Sequence, residues 1–259
     1  MNYLAINRLH TSLLAALLVA LVAFILPFAA MAQPASSSRS KGVQVNTSWW
    51  PFAQRVQGVG PVIAGERDVR GFNGVRVEGT MNVFISQGEQ ASVRVVTNEN
   101  FMEHVQTNVM GDGVLKLSID VPNYEFDSLA VYVTVPYLSL LQLESTCFVQ
   151  ALTTLTGSHL TTTVNGSACK VTFADGSLDT HTINLVGSGN IVDALKLKAA
   201  QSKLTMTGFG NTCSLNAEEI DLFALGIGST VYYKAGNRFL NNRSYVGFAR
   251  SISSVDGEK

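Results

Sequence analysis

Histidine, cysteine, aspartate and arginine are the residues of this chain whose spacing could support chemistry. His159 and His181 stand 22 residues apart, with Asp179 two residues before the second. In a chain that repeats at about that length, the two imidazoles would fall in adjacent coils on one face. With the carboxylate they could hold Zn²⁺ or Cu²⁺, but such centres converge three or four ligands. His104 is remote in sequence and His10 lies near the N-terminus. The simpler expectation is two exposed polar residues on a Thr-rich face, and no metal ligand is assigned.

Cys147 and Cys169 share the interval of 22. Stacked positions would bring their Cα atoms to about 5 Å, inside the disulfide range of about 4.4–6.8 Å. A disulfide and two stacked free thiols both satisfy that spacing. The uncertain register near Ser145 favours the free thiols. Cys213 reads as a small buried hydrophobe. Three cysteines in an exported chain leave at least one thiol unpaired.

Catalytic constellations are not found. There is no Gly-x-Ser-x-Gly elbow, and Ser188 has no His or acid at a readable position. Gly208-Phe209-Gly210 and Gly226-Ile227-Gly228 lack the third Gly and following helix of a phosphate loop. Asp175, Asp179 and Asp193 are the acids that a β-helical lyase or glycosidase would have to use. They read better as corner and solvent residues. Arg238, Arg243 and Arg250 form the one concentrated charge group. It suits contact with anionic glycan or lipopolysaccharide, or a charged cap that stops further strand addition, and the cap is favoured. No catalytic, cofactor-binding or metal residue is assigned, and no cofactor is expected.

The elements that carry these residues repeat. Gly166, Gly187 and Gly208 are spaced by 21 residues, Ser145 stands 21 before the first, Gly226 follows after 18 and Gly247 after another 21. Two residues before each Gly stand Val164, Leu185, Met206, Ala224 and Tyr245, and four before stand Thr162, Ile183, Leu204, Leu222 and Arg243. Five after stand Val171, Val192, Cys213, Val231 and Ile252. Such columns arise when successive coils stack and like positions lie above one another. Gly supplies the positive φ that tight corners need. Ser145 at a Gly position implies a looser corner or a one-residue slip. Asn190 and Asn211 occupy matching corner positions and suit a short Asn ladder. An antiparallel meander sandwich fits constant spacing less well, because its neighbouring strands reverse direction.

Upstream, Val75/Val77, Val83/Ile85, Val93/Val95, Leu115/Leu117/Ile119 and Val131/Val133/Val135 alternate with polar residues between Gly-, Asn- and Pro-bearing turns. That is strand patterning. The stretch from Asn98 to Val109 could hold a helical turn.

Residues 1–32 have the layout of a secretory signal peptide: a weakly basic start, an apolar run over Leu13–Phe28, and Ala30-Met31-Ala32 before Gln33. Residues 33–65 read as a linker interrupted by Trp49-Trp50-Pro51-Phe52. That cluster would fold back over a sheet end, or mark a partner or membrane contact. Residues 66–259 form a single β-solenoid domain. Without residues 1–32 the chain holds 17 basic and 19 acidic side chains. This balance excludes the basic patch that nucleic acid requires. Membrane contact is expected only through the leader, if it is uncleaved. Charged residues are 14% of the chain, against a usual value of about 25%, so Ser, Thr, Asn and Gln must cover the surface.

Val75-Arg76-Val77-Glu78-Gly79, Val83-Phe84-Ile85-Ser86-Gln87-Gly88 and Val93-Arg94-Val95 resemble the opening of the head-GIN family, also called auto-transporter adhesin domains. Gly113-Val114-Leu115-Lys116-Leu117 is similar to its next element. Val133-Thr134-Val135-Pro136-Tyr137-Leu138, leading into Leu141-Gln142-Leu143, is similar to its midpoint. The corner Gly187-Ser188-Gly189 completes a likeness covering Glu66 to Ser253. The chain departs from the pattern at Glu144-Ser145-Thr146 and Gly208-Phe209-Gly210. The resemblance implies an exported or surface β-helical domain and no particular chemistry, since the family has no established catalytic residues to carry over.

The expected architecture is all-β: a right-handed parallel β-helix-like solenoid of about 21-residue coils, with N-terminal strands pairing onto it. The expected function is non-enzymatic binding or adhesion to a glycan or surface polymer, in the periplasm or at the cell surface or outer membrane of a bacterium. The alternatives are a periplasmic envelope scaffold with a protein partner and a β-helical polysaccharide-degrading enzyme.

Overall fold

The computed structural model describes residues 55–234, 238–245 and 251–255, all within the unit Trp50–Lys259. The leader, the Trp49–Phe52 cluster, Gly247 and Arg250 lie outside the described residues, as do the side chains of Arg243, Tyr245 and Ile252. The chain is a β-solenoid of about 4 turns at a spacing of about 21 residues.

From Leu140 onward each coil has three strand segments. The first comprises Leu140–Glu144 and the residues that stack on it: Leu140 pairs with Thr161, Thr161 with Thr182 and Thr182 with Lys203, all in parallel. The second comprises Phe148–Ala151, Lys170–Thr172, the start of Ile191–Phe209, the start of Thr212–Ile227, and Thr230–Lys234. The third begins at Leu155, Gly176 and Leu197 and runs on into the first segment of the next coil. A register shift between Ala194 and Lys198 removes three residues from one coil, which is why Gly226 follows Gly208 after 18 rather than 21.

The inward columns are those the repeat implies. Val164, Leu185, Met206 and Ala224 are buried, as are Thr162, Ile183, Leu204 and Leu222, and Val171, Val192, Cys213 and Val231. Each fully buried Val, Leu or Ile contributes roughly 1.5–3 kcal/mol of apolar transfer. Branched side chains suit the pleated surface on which they stack.

The N-terminal strands pair onto this stack out of sequence order. Gly74–Glu78 lies between Leu140–Glu144 and Val114–Ile119, parallel to both. Asn82–Gln87 lies likewise between Phe148–Ala151 and Leu129–Val135. The coil formed by residues 114–135 is therefore outside the coil formed by residues 74–87. Beyond it the strands turn antiparallel: Ser92–Asn98 on Leu129–Val135, Val62–Arg67 on Ser92–Asn98, and Val105–Val109 on Val114–Ile119. An antiparallel layer ends the parallel ladder, so this end does not present another coil-shaped template. Val62–Arg67 runs across residue 65, where the linker was expected to end. A short 3₁₀ helix, Glu99–His104, occupies part of the stretch open to a helical turn, and the rest is strand.

The corner glycines are fixed by close stacking. Gly187, Gly208 and Gly226 have φ of 115°, 120° and 146°. A Cβ added to any of them would land on the carbonyl oxygen of the glycine one coil earlier: Gly166, Gly187 and Gly208 respectively. The same column extends upstream, because Glu78 pairs with Glu144 and so sets Gly79, with φ 121°, beside Ser145.

Candidate functional site

The histidines do not share a face. His159 pairs in register with Thr180, and Leu160 with His181, so the interval of 22 overshoots the coil by one residue. One residue of slip turns a side chain to the opposite face of a strand. His159 is exposed, with Nδ1 2.9 Å from Thr180 Oγ1 and Nε2 2.8 Å from Thr161 Oγ1. His181 is buried, which corrects the expectation of two exposed residues. Its Nε2 lies 2.9 Å from Thr162 Oγ1, and its ring stands edge-on to Phe173. Burial lowers its pKa from 6.5 to about 3, with a smaller contribution from His159. His181 is thus a neutral core residue.

The acids are likewise spread over different segments. Asp175 precedes the Gly176–Ser188 strand, Asp179 lies in the third segment of its coil, and Asp193 lies in a second segment. Among the described residues no group of three or more His, Cys, Asp and Glu side chains could hold a metal ion. Arg238 pairs with Glu219. This pair borders a depression of about 530 Å³ that Ala200, Gln201 and Glu218 complete.

The 22-residue interval has the opposite consequence for the cysteines. Leu143 pairs with Val164, 21 residues on, but Phe148 pairs with Lys170, 22 residues on. The extra residue sits at the corner, so Cys147 and Cys169 come into register with Sγ atoms 3.7 Å apart and both buried. Cys169 Sγ also contacts the Ser145 carbonyl oxygen. The hydrogen bond with Cys169, reinforced by burial, pushes the Cys147 thiol well above the ordinary range. Cys213 is buried and its thiol is raised chiefly by desolvation.

One and two coils further on, the same corner position holds Asn190 and Asn211, both fully buried. Asn211 Oδ1 accepts from the Asn190 backbone N–H at 3.0 Å, and its Nδ2 donates to the Gly187 and Thr207 carbonyls at 3.0 and 3.3 Å. Asn190 repeats this, with Oδ1 on the Cys169 N–H and Nδ2 on the Gly166 and Val186 carbonyls. The ladder therefore ties backbone to backbone across coils rather than amide to amide. Its role is structural.

What remains for function is the outward surface. On the first segments, Gln142, Thr163, Asn184 and Thr205 form one row and Thr161 and Thr182 part of another. Upstream this face becomes charged: Lys116 Nζ lies 2.6 Å from Glu78 and Arg76 Nη2 3.2 Å from Gln142. The second segments carry a different row, continuous through the pairings Glu66, Arg94, Tyr132, Phe84, Gln150, Thr172, Asp193, Ser214 and Tyr232. The Phe84 and Tyr132 rings stack at 5.1 Å, Phe148 meets Phe84 edge-on at 6.3 Å, and Lys170 Nζ lies 5.9 Å over the Phe148 ring. Tyr132 and Tyr232 are 41% and 37% exposed.

This aromatic row is absent from the expectations drawn from sequence. Its signal lies in the alternation itself, because Phe84 stands between Val83 and Ile85 and Tyr132 between Val131 and Val133. A large aromatic at a solvent-facing position of a strand is an exposed apolar surface. A second apolar group lies at the later corners, where Phe209 and Ile227 take the place of Ser167 and Ser188, with Leu225 nearby.

Residues 71–171 match the family model described as "Putative auto-transporter adhesin, head GIN domain". No curated protein matches the chain. Among solved structures, a "putative adhesin" from Bacteroides fragilis aligns over 77% of this chain and all of its own length, with 18% identity and a TM-score of 0.57. A "putative adhesin" from Parabacteroides merdae aligns over 79% and all of its own length, with 15% identity and a TM-score of 0.50. A "putative lipid binding protein" from Parabacteroides distasonis aligns over 78% and all of its own length, with 13% identity and a TM-score of 0.50. At these identities the likeness is one of fold.

Proposed function

We propose that this chain is an exported, non-enzymatic adhesion-type protein that binds a glycan or similar surface polymer along the outward face of its second segments. The observation that carries this reading is the row from Tyr132 to Tyr232, with aromatic rings at its two ends and Gln150, Thr172, Asp193 and Ser214 between them. Aromatic rings offer apolar area to the C–H face of a sugar, and the amide, hydroxyl and carboxylate groups between them can bond its hydroxyls. Six strand steps separate the two tyrosines, a span of about 29 Å at a strand spacing of about 4.8 Å. That length suits an extended polymer better than a single small molecule. Strand-borne side chains are already ordered, so binding loses little conformational freedom. The signal-peptide layout of residues 1–32 supports export to the periplasm or cell surface, and the description of the matched family supports adhesion.

A second reading has its own observation. Phe209, Leu225 and Ile227 are exposed, Phe209 by 61%, and apolar groups of this kind favour a protein partner.

Retention of the purified protein in native gels containing polysaccharides separates these readings. Tyr132→Ala with Tyr232→Ala is expected to weaken retention at least about tenfold, which corresponds to about 1.4 kcal/mol. Phe209→Ser with Ile227→Ser is expected to leave it unchanged. Retention by no glycan, together with co-purification of one envelope protein that the Phe209/Ile227 pair abolishes, would establish the scaffold reading instead. Release of reducing sugar that Asp193→Asn abolishes would make the protein an enzyme.

A further inference from the structure

We propose that Cys147 and Cys169 are a disulfide site that staples the coil beginning at Leu140 to the next. The two thiols are 3.7 Å apart, each immediately before one of the in-register strands Phe148–Ala151 and Lys170–Thr172, and both are buried. In-register parallel neighbours lie about 4.8 Å apart, within the Cα separation a disulfide spans. Closing the sulfurs to bonding distance therefore needs side-chain rotation rather than movement of the strands.

The position of the pair in the repeat gives the bond a purpose. Stacked down one corner column are Cys147, Cys169, Asn190, Asn211 and Ser229. Asn190 and Asn211 each tie adjacent coils through two hydrogen bonds, and a third holds the amide to a carbonyl of its own corner. Cys147 and Cys169 cannot make that set, since a thiol is a weak donor and a weak acceptor. Their corner is also the irregular one. Ser145 holds φ at 141° and Ala168 at 57°, and the Ser145 corner has one residue fewer than the Gly166 corner stacked on it. A covalent bond there takes over the role of the Asn ladder.

The chemistry is thiol–disulfide exchange with an external disulfide, either an oxidoreductase of the exported compartment or oxidised glutathione. One cysteine thiolate attacks a sulfur of the oxidant disulfide, forming a mixed disulfide and releasing one oxidant thiol. The second cysteine thiolate attacks the first cysteine's sulfur, forming the Cys147–Cys169 bond and releasing the other oxidant thiol. Two protein thiols are oxidised, one disulfide is reduced to two thiols, and the two protons leave with them. Cys147 is 5% exposed and Cys169 1%, so the exchange takes place while the chain is folding.

The test is refolding of the full chain in a glutathione redox buffer, then denaturation and alkylation without reductant. One adduct, on Cys213, is expected by intact mass, against three after reduction, because the chain has three cysteines. Digestion should yield a peptide pair joined through Cys147 and Cys169. Reductant is expected to lower the Tm of the wild type by roughly 5–10 °C and to leave a Cys147→Ser, Cys169→Ser variant unmoved. Three adducts without reductant, or a linkage through Cys213, would overturn the proposal. If the double variant does not fold, the adduct count on the wild type decides alone. None of these readouts depends on glycan binding or on where the protein resides.

Discussion

Two pairs of corners in the same solenoid solve one problem with different chemistry. At Gly187-Ser188-Gly189-Asn190 and Gly208-Phe209-Gly210-Asn211, two glycines with positive φ let the coils approach and a buried Asn ties them together. At Ser145-Thr146-Cys147 and Gly166-Ser167-Ala168-Cys169, the φ values are held by Ser145 and Ala168, the first of the two corners is one residue short, and two thiols take the Asn position. A stacked corner evidently needs two things: room for the carbonyl of the preceding coil, and a group that bridges the coils behind it. Gly and Asn supply them separately. Where Ser145 and Ala168 stand in place of Gly, the bridging group changes as well.

The comparison breaks most severely if the late corners tolerate a side chain. Gly187→Val places a Cβ on the Gly166 carbonyl at φ 115° and is expected to cost about 4 kcal/mol, read from urea unfolding. A cost below about 1 kcal/mol would mean that the stacking is loose. Asn211→Ala removes the Asn190 N–H acceptor and the Gly187 and Thr207 donor, for a loss of about 2–3 kcal/mol. An equal loss from Ser229→Ala, one coil later in the column, would show that the amide is not what matters.

His181 sharpens the comparison through pH. The folded chain keeps it neutral down to about pH 3, while the unfolded chain takes up a proton near 6.5. The unfolded state therefore binds more protons as pH falls, and stability drops between 6.5 and 3. The slope is about 1.4 kcal/mol per pH unit. His181→Leu is expected to flatten unfolding free energy against pH in that window, and an unchanged slope would place the histidine outside the core.

The smallest effect is a gain. Ser145→Gly relieves φ 141° and should raise stability by about 1 kcal/mol in the same urea assay. A loss would mean that the Ser145 side chain supports the early corner.

Much of the solenoid was legible in its columns. Val164, Leu185, Met206 and Ala224 recur because each lies over its predecessor, and the 18-residue interval before Gly226 marks the coil that loses residues at Ala194/Lys198. Gly79 was not legible as a corner, since it lies 66 residues before Ser145 and reaches it only through the Gly74–Glu78 strand inserting out of order. Spatial order of that kind leaves no periodic trace. The histidines and cysteines share one interval, yet only the cysteines meet. The offset between coils rises to 22 at the Ser145 corner and returns to 21 between Gln150 and Leu155, a change too local for an average period to reveal. The outward aromatic row was visible in principle, as Phe84 and Tyr132 at polar positions of the alternation. A repeat directs attention to the residues that stack inward, whereas binding depends on those that do not.

The most direct measurement is an amide-resolved NMR titration of the full chain with a polysaccharide that retains it in native gels. Shifts concentrated at Tyr132, Phe84, Gln150, Thr172, Ser214 and Tyr232 are expected, with Phe209, Leu225 and Ile227 unmoved. Shifts confined to Phe209, Leu225 and Ile227, or to the Thr163–Asn184–Thr205 row, would contradict binding along the second segments.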